Sequence, residues 1–475
     1  MSLVPTAPAR ALPMSRVPTR ALLRPLILLS LPVLAEHALH ILVGLTDTYL
    51  ANNLYATAGL QGDALVAAHK ANASAGAAVG SITYIVWFIG LIVSSIGTGA
   101  TAIIARAIGG RHRRLANKVC GQAILAAFAA GLVMFVASRF AADPLSRMMN
   151  LDAESTELFR QYVRVLSFGL PFAVVMFTAS ACLRGAGDTL TPAVSMMAVD
   201  VVNVAISSTL AWGLFGMPHL GFTGIAIGTT TAYVVGGMLQ LIVLFVGRGG
   251  IRLFPHRLRP DWNTLRRILR IGIPSGSEGL LMWLANFVVL RTVNGMDDVA
   301  ATAHNLAIRV ESLSYMSGFA VAMASASLVG QALGAGDPHR ANRTAYLGYG
   351  LGASIMVSLG VVFVVFSRAC AGLFTDDPVV IDLAAECLFQ AGFIQFAFAA
   401  AIIFGSSLRG AGDTTSVMVL NLLSIVLIRC VGAYVLGRLG AGLPQIWLLL
   451  CAELVVRGGL MYWRFATGRW RHVKV

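Results

Sequence analysis

The chain has 475 residues, 57% of them hydrophobic and only 12% charged, and its mean hydropathy is +0.78. A soluble domain carries about 25% charged residues, so a surface that faces water throughout is excluded. The net charge of +14 does not point to a nucleic-acid partner, because the Lys and Arg residues cluster in alternate loops between apolar runs.

Residues 1–25 contain no acid and are rich in Pro and Arg. They read as a cytoplasmic tail, since the apolar run that follows is too long for the h-region of a signal peptide. Twelve apolar runs then reach the roughly 20 residues needed to cross a hydrocarbon core. They lie at about 26–50, 74–106, 119–139, 161–183, 191–214, 222–247, 268–294, 300–331, 344–367, 380–407, 415–437 and 443–465. The 49 glycines suit a bundle in lipid, where small residues let helix backbones approach. Basic residues follow the second run (Arg111, Arg113, Arg114, Lys118), fill the stretch between the sixth and seventh, and return after the eighth (Arg340, Arg343). Acids occupy the opposite loops, at Asp297, Asp298, Asp376 and Asp377. The expected topology is a multi-pass protein of the cell's inner or plasma membrane, with both termini cytoplasmic. The six cysteines form no CxxC pair and read as packing residues. Neither a phosphate-binding GxxxxGK[ST] loop nor an HExxH site occurs, so neither ATP hydrolysis nor an embedded metalloenzyme is expected.

The string Leu183-Arg184-Gly185-Ala186-Gly187-Asp188-Thr189 recurs letter for letter at Leu408–Thr414, an offset of 225. Ala116-Asn117 and Ala341-Asn342 share that offset, whereas Pro32 and Glu36 match Pro274 and Glu278 at an offset of 242. The difference assigns 17 extra residues to the first copy, in the outer connection at about 51–73. The chain therefore divides into a tail (1–25), a six-helix lobe (26–247), a cytoplasmic linker (248–263), a second six-helix lobe (264–465) and a C-terminal tail (466–475). Six spans per copy make the repeats parallel, and duplicated membrane proteins of this kind commonly hold a substrate between their halves.

Ionisable groups within spans are costly and mark candidate sites. Glu36, His40 and Asp47 fall within about 40° of one another on span one, a single polar stripe. Asp200, Asn203 and Ser207 form a second stripe on span five, and the two stripes facing each other would make a wet pocket able to hold a proton. Pro32 removes a backbone hydrogen bond from span one and marks a bend or hinge. In the second lobe, His304 and Glu311 share a face of span eight. Arg429, deep in span eleven, needs a carboxylate, for which Glu278 and Glu311 are the expected partners. Arg184, Asp188, Arg409 and Asp413 read as geometry of short loops, with glycines turning and aspartates capping the next helix. Tyr84, Trp87, Phe88, Trp283 and Phe287 are candidate linings for a flat cation.

The doubled LRGAGDT after spans four and ten, the Gly109–Arg114 and Gly334–Arg340 loops ahead of Ala-Asn, and Pro32 fifteen residues before Asp47 resemble the multidrug and toxic compound extrusion (MATE) transporters. The resemblance covers about 22–465. It implies an all-α fold of twelve transmembrane helices in two pseudo-symmetric lobes. It also implies export of bulky, often cationic organic compounds driven by inward flow of H⁺ or Na⁺, with no cofactor and with a monomer sufficient. Two departures stand out. Span five carries Ser207 where the family often has an Asp, so either Asp200, one turn earlier, substitutes for it or coupling runs through Asp47 more singly. Span ten offers Gln390 and Gln395 with Glu386 only near its start, where the Na⁺-driven branch has an acid, which favours H⁺ over Na⁺. The alternative is a flippase of lipid-linked precursors from the same superfamily, which would call for a basic groove and commonly has fourteen spans.

Overall fold

A computed structural model describes residues 18–55, 61–149, 151–254 and 258–473, without the side chains of 83, 84, 86–88 and 148. The expectations for most of the N-terminal tail and for Tyr84, Trp87 and Phe88 as pocket aromatics lie outside the described residues. In a bilayer each backbone N–H and C=O must be satisfied within the protein, so apolar runs become helices. The first half contains α1 (Thr19–Asn52), α2 (Asp63–Gly109), α3 (Arg113–Met148), α4 (Ala153–Leu166), α5 (Leu170–Ala186), α6 (Leu190–Trp212) and α7 (Phe222–Val246). The second contains α8 (Trp262–Asn294), α9 (Asp298–Gly334), α10 (Pro338–Val365), α11 (Ser367–Gly372), α12 (Pro378–Phe393), α13 (Gln395–Gly410), α14 (Thr414–Ser424), α15 (Val431–Arg438) and α16 (Leu443–Ala466). The pairs α4–α5 and α14–α15 each continue one span, the latter through a π-helical stretch at Ile425–Cys430. The pair α12–α13 bends by 59° at Ile394, and counting it as one span brings the total among the described residues to twelve. Beside that bend a Cβ on Gly392 would lie 2.6 Å from the Gly360 carbonyl oxygen, a backbone approach only glycine permits.

The 17 extra residues fall where the offsets place them. Helices α2 and α9 end at equivalent positions, but α2 has 47 residues and α9 has 37. Ten of the extra residues therefore lengthen α2, and the remainder lengthen its connection to α1. The Asn72 side chain closes that connection, accepting from the Tyr55 N–H at 2.9 Å and donating to its carbonyl at 3.0 Å. Helix α1 runs unbroken through Pro25 and Pro32. The bend expected at Pro32 is thus not a break here, because one missing hydrogen bond leaves the rest of a 34-residue helix intact.

The lobes meet where α2 crosses α9. A Cβ on Gly109 would lie 1.9 Å from the Gln331 carbonyl oxygen, and one on Gly334 would lie 2.0 Å from that of Arg106. Both pairs are related by the 225-residue offset, so the crossing lies on the pseudo-twofold axis. Around it Arg106 donates to the carbonyls of Ala411 at 2.7 Å and Val473 at 2.8 Å. Gln331 donates to Gly185 at 3.3 Å, and Ser327 to Arg184 at 2.7 Å. This end is the Arg-rich side. Further along α2, Ser95 touches Gly272 and Gly276 of α8 and Leu91 approaches Gly279, while Gly90 and Gly80 face open space. The lobes are in backbone contact on the Arg-rich side, and further along α2 an interlobe space opens beside Gly90.

The linker is fixed to the first lobe. Gln122 of α3 donates to the Arg259 carbonyl at 2.8 Å and accepts from the Asp261 N–H at 2.9 Å. Asp261 pairs with Lys118, accepts from the Thr264 hydroxyl at 2.7 Å and caps α8. Hydrogen bonds from Lys118 and then Thr264 hold its carboxyl down at about 2. The unfolded value is about 3.9, so this depressed carboxylate contributes stability above that pH and loses it as pH falls toward 2. The melting-temperature difference between wild type and Asp261→Asn in detergent is expected to stay constant from pH 8 to 5 and to shrink below pH 4. A difference that vanishes already at pH 6 would refute the assignment.

Candidate functional site

In the first lobe, four spans converge on Asp47, whose side chain is buried. Tyr162 of α4 donates to its Oδ2 at 2.7 Å and Thr229 of α7 to the same oxygen at 2.5 Å. Asn203 of α6 donates to Oδ1 at 3.2 Å and also reaches Thr229 at 3.0 Å and Ser207 at 3.4 Å. Helices α6 and α7 come this close because a Cβ on Gly228 would fall 2.0 Å from the Ser207 hydroxyl. The expected meeting of the span-one and span-five stripes is therefore present for Asp47, Asn203 and Ser207. Asp200 does not join it. It is buried one turn away, and neither carboxylate oxygen has a hydrogen-bond partner among the described residues. Tyr162 and Thr229 are the members the sequence did not reveal, being neutral residues inside apolar runs.

Glu36 leaves the stripe and pairs with Arg184, whose Nη1 lies 2.8 Å from Oε1 and 3.0 Å from Oε2. The second lobe repeats this geometry, with Arg409 Nη1 at 2.9 Å from both oxygens of Glu278. Asn421 donates to the same Glu278 at 2.5 Å. Two expectations are corrected here. Arg184 and Arg409 are not loop residues but occupy the last turns of α5 and α13, reaching back into the membrane. Glu278 is their kind of partner and not the partner of Arg429. Arg429 pairs instead with Glu453 of α16 at 2.9 Å, and Glu453 also takes Arg457 at 2.6 Å. Glu453 is wholly buried. Glu311 lies within electrostatic reach of Arg429 and beside Gln395, and it closes no ion pair among the described residues. His304 accepts from the Trp447 indole at 3.1 Å, which makes it a packing residue.

The repeated string splits its roles between copies. Gly187 (φ +91°) and Gly412 (φ +88°) take the left-handed turn that only glycine adopts freely. Asp188 caps the next helix as expected, accepting from the Thr191 N–H at 3.0 Å. Asp413 makes no such cap and binds Arg464 at 2.7 Å.

Between the lobes lies a cleft of about 480 Å³, lined by Thr98, Met282, Phe319 and Met323 and by the charged side chains Arg184, Glu278 and Arg409. Trp283 and Phe287 stack on each other at 6.0 Å and are not among its lining residues, so they do not form the expected aromatic wall.

Two helical lobes around a shared cleft, the first holding a buried carboxylate ringed by neutral partners, are the architecture of a membrane transporter. The MatE family model matches residues 49–209 and 274–435, one match in each lobe. The chain belongs to the MatE family. It is 28% identical over 466 residues to a probable multidrug resistance protein NorM of Thermotoga maritima, covering 97% of this chain and 95% of that one. It is 30% identical over 403 residues to the uncharacterized transporter YisQ of Bacillus subtilis, covering 83% and 87%. Its fold matches the bent form of the Vibrio cholerae MATE transporter VcmN with a TM-score of 0.83 at 18% identity, over 95% of this chain and 97% of that one. A MOP superfamily transporter from Pyrococcus furiosus matches with a TM-score of 0.81 at 21% identity, over 94% and 95%.

The buried Arg429–Glu453–Arg457 cluster makes a direct prediction. Glu453→Gln leaves two guanidinium groups without their carboxylate and should cost about 3–5 kcal/mol. The measurement is thermal unfolding of purified protein in detergent, with Arg429→Met/Glu453→Gln expected to recover part of the loss. A Glu453→Gln protein that melts with wild type would show the cluster to be energetically neutral.

Proposed function

We propose that this protein is a secondary-active antiporter that exports organic compounds, cations among them, across the inner or plasma membrane in exchange for H⁺. The observation that carries the reading is Asp47. It is a buried carboxylate whose three partners, Tyr162, Asn203 and Thr229, are all neutral, so its charge has no counter-ion among the described residues. A buried charge without a counter-ion is expensive, and an arriving proton or cation removes that cost. Exchange of the two at one carboxylate couples their movements. Asn203 and Ser207 belong to this coupling site, with Asp200 beside it as a second buried acid. Glu36 and Glu278 act through their arginines, and Glu311 is the candidate acid of the second lobe.

The positive-inside rule puts the Arg-rich side in the cytoplasm, which makes the closed end cytoplasmic and the cleft outward-open. Alternating access then requires the α2–α9 crossing to part and the opposite ends to close. Pro32 lies on the helix that carries Asp47, and one absent hydrogen bond there is the natural weak point for bending. The NorM relatives are named as multidrug resistance proteins, which supports a broad range of organic substrates. Span ten presents Gln390 and Gln395 and no carboxylate in its body, which favours H⁺ over Na⁺. Nothing in the chain calls for a cofactor, and each protomer holds a complete cleft, so a monomer suffices. The flippase reading is not favoured by twelve spans, by a cleft of mixed charge or by the NorM relatives.

The experiment is ethidium efflux by purified protein in proteoliposomes under an imposed pH or Na⁺ gradient. Wild type should respond to the pH gradient, and Asp47→Asn should lose that response at least tenfold while folding normally. Wild-type rates from Asp47→Asn would sink the coupling site, and efflux driven by Na⁺ alone would reverse the choice of ion.

A further inference from the structure

The sequence marks Arg184 and Arg409 only as members of a repeated string, yet both enter the lining of the interlobe cleft. We propose that these two arginines form a twin oxyanion-recognition site, and that the cleft selects amphiphiles bearing a carboxylate or similar oxyanion, zwitterions included. The proposal rests on the export reading and narrows its substrate class.

The geometry of the pairs carries it. Both oxygens of Glu36 lean on the single Nη1 of Arg184, and both oxygens of Glu278 on the single Nη1 of Arg409. A guanidinium has five N–H donors, and its strongest arrangement with a carboxylate is the two-nitrogen fork. Neither internal pair uses that fork. Nη2 of Arg409 reaches only the Ser406 hydroxyl, at 3.3 Å, and no hydrogen bond of Nη2 of Arg184 is found among the described residues. The side chains keep 12% and 20% exposure at Arg184 and Arg409, enough to meet a ligand in the cleft. Charge points the same way. The lining contains two arginines and one carboxylate, Glu278, while Glu36 is not among the lining residues. Thr98 adds a hydroxyl to the lining, and Met282, Phe319 and Met323 offer apolar surface for the body of the ligand. A site whose polar groups are arranged for an oxyanion discriminates strongly against an analogue that lacks one, because its donors are then left unpaired.

The internal carboxylates explain how such a site tolerates being empty. Two bare guanidinium groups in a low-dielectric cleft would be costly, and Glu36 and Glu278 offset that cost while leaving a fork edge free. The arrangement also explains why Arg and not Lys occupies both copies, since an ammonium held by its carboxylate has no second edge to offer.

The test uses a matched pair of probes, rhodamine 110, which carries a free carboxylate, and its methyl ester rhodamine 123. Binding to the purified full-length protein is read by fluorescence polarisation, and transport is read in proteoliposomes. Wild type should bind rhodamine 110 at least tenfold more tightly than the ester. Arg409→Gln/Glu278→Gln and Arg184→Gln/Glu36→Gln remove each pair without leaving a lone buried charge. Both should lower affinity for rhodamine 110 about tenfold more than they lower that for the ester, erasing the preference. Arg409→Lys tests the fork and should lose most of the preference although charge is kept. Equal binding of the two dyes, or preference for the ester, overturns the proposal, and transport of the ester would leave the export reading standing. Equal loss of both dyes in the paired variants overturns it too, by showing the pairs to be structural. Binding of neither dye also overturns it, and ethidium efflux from the same vesicles then tells whether the export reading falls with it.

Discussion

The crossing of α2 and α9 is the contact on which the rest of the arrangement depends. Gly109 rests on the Gln331 carbonyl and Gly334 on that of Arg106, so the two helix backbones touch without intervening side chains. In lipid there is no hydrophobic drive to bring helices together, and close packing of small residues takes its place. Because the two glycine contacts are repeat-related, the crossing defines the axis about which the lobes are disposed. It also closes one end of the interlobe cleft, and it brings each lobe's LRGAGDT backbone within reach of the other lobe's Arg106, Ser327 or Gln331.

The distribution of strong and weak interactions follows from this design. The buried ion pairs, Glu36–Arg184, Glu278–Arg409 and Arg429–Glu453–Arg457, each stay within one lobe. Breaking such a pair in a low-dielectric interior costs about 3–5 kcal/mol, so each lobe holds together as a unit. Across the closed end the polar links are single hydrogen bonds, worth about 1 kcal/mol net for Ser327 and Gln331 and about 1.5–3 kcal/mol for each bond of the Arg106 guanidinium. A transporter that exposes its cleft alternately needs interfaces that part more readily than its lobes unfold.

Much of the fold was legible from the sequence because its causes are local or periodic. The apolar runs, the exact repeat and the two offsets specified twelve spans, two lobes and the place of the extra residues, and Asp47, Asn203 and Ser207 were found by helical phase. The phase argument went wrong at Glu36, which shares a face with Asp47 but sits about three helical turns nearer the Arg-rich end, where Arg184 takes it. The partner of Arg429 was also misassigned, since the sequence offered Glu278 and Glu311 and only packing shows that α16 presents Glu453. Tyr162 and Thr229 were invisible for another reason. A neutral residue in an apolar run carries no signal until its neighbour across the bundle is known.

By itself the sequence settled what depends on spacing along one chain, namely the membrane class, the duplication, the number and order of the spans and the glycine turns after α5 and α13, while several helices run a further two turns or more past the apolar runs. Tertiary structure decided which charge meets which, because a helix fixes the direction of its side chains but not the identity of the helix they face. It also decided that the repeated arginines point into the cleft rather than into loops. That outcome depends on the close approach of six spans per lobe, and no periodicity within a single span encodes it.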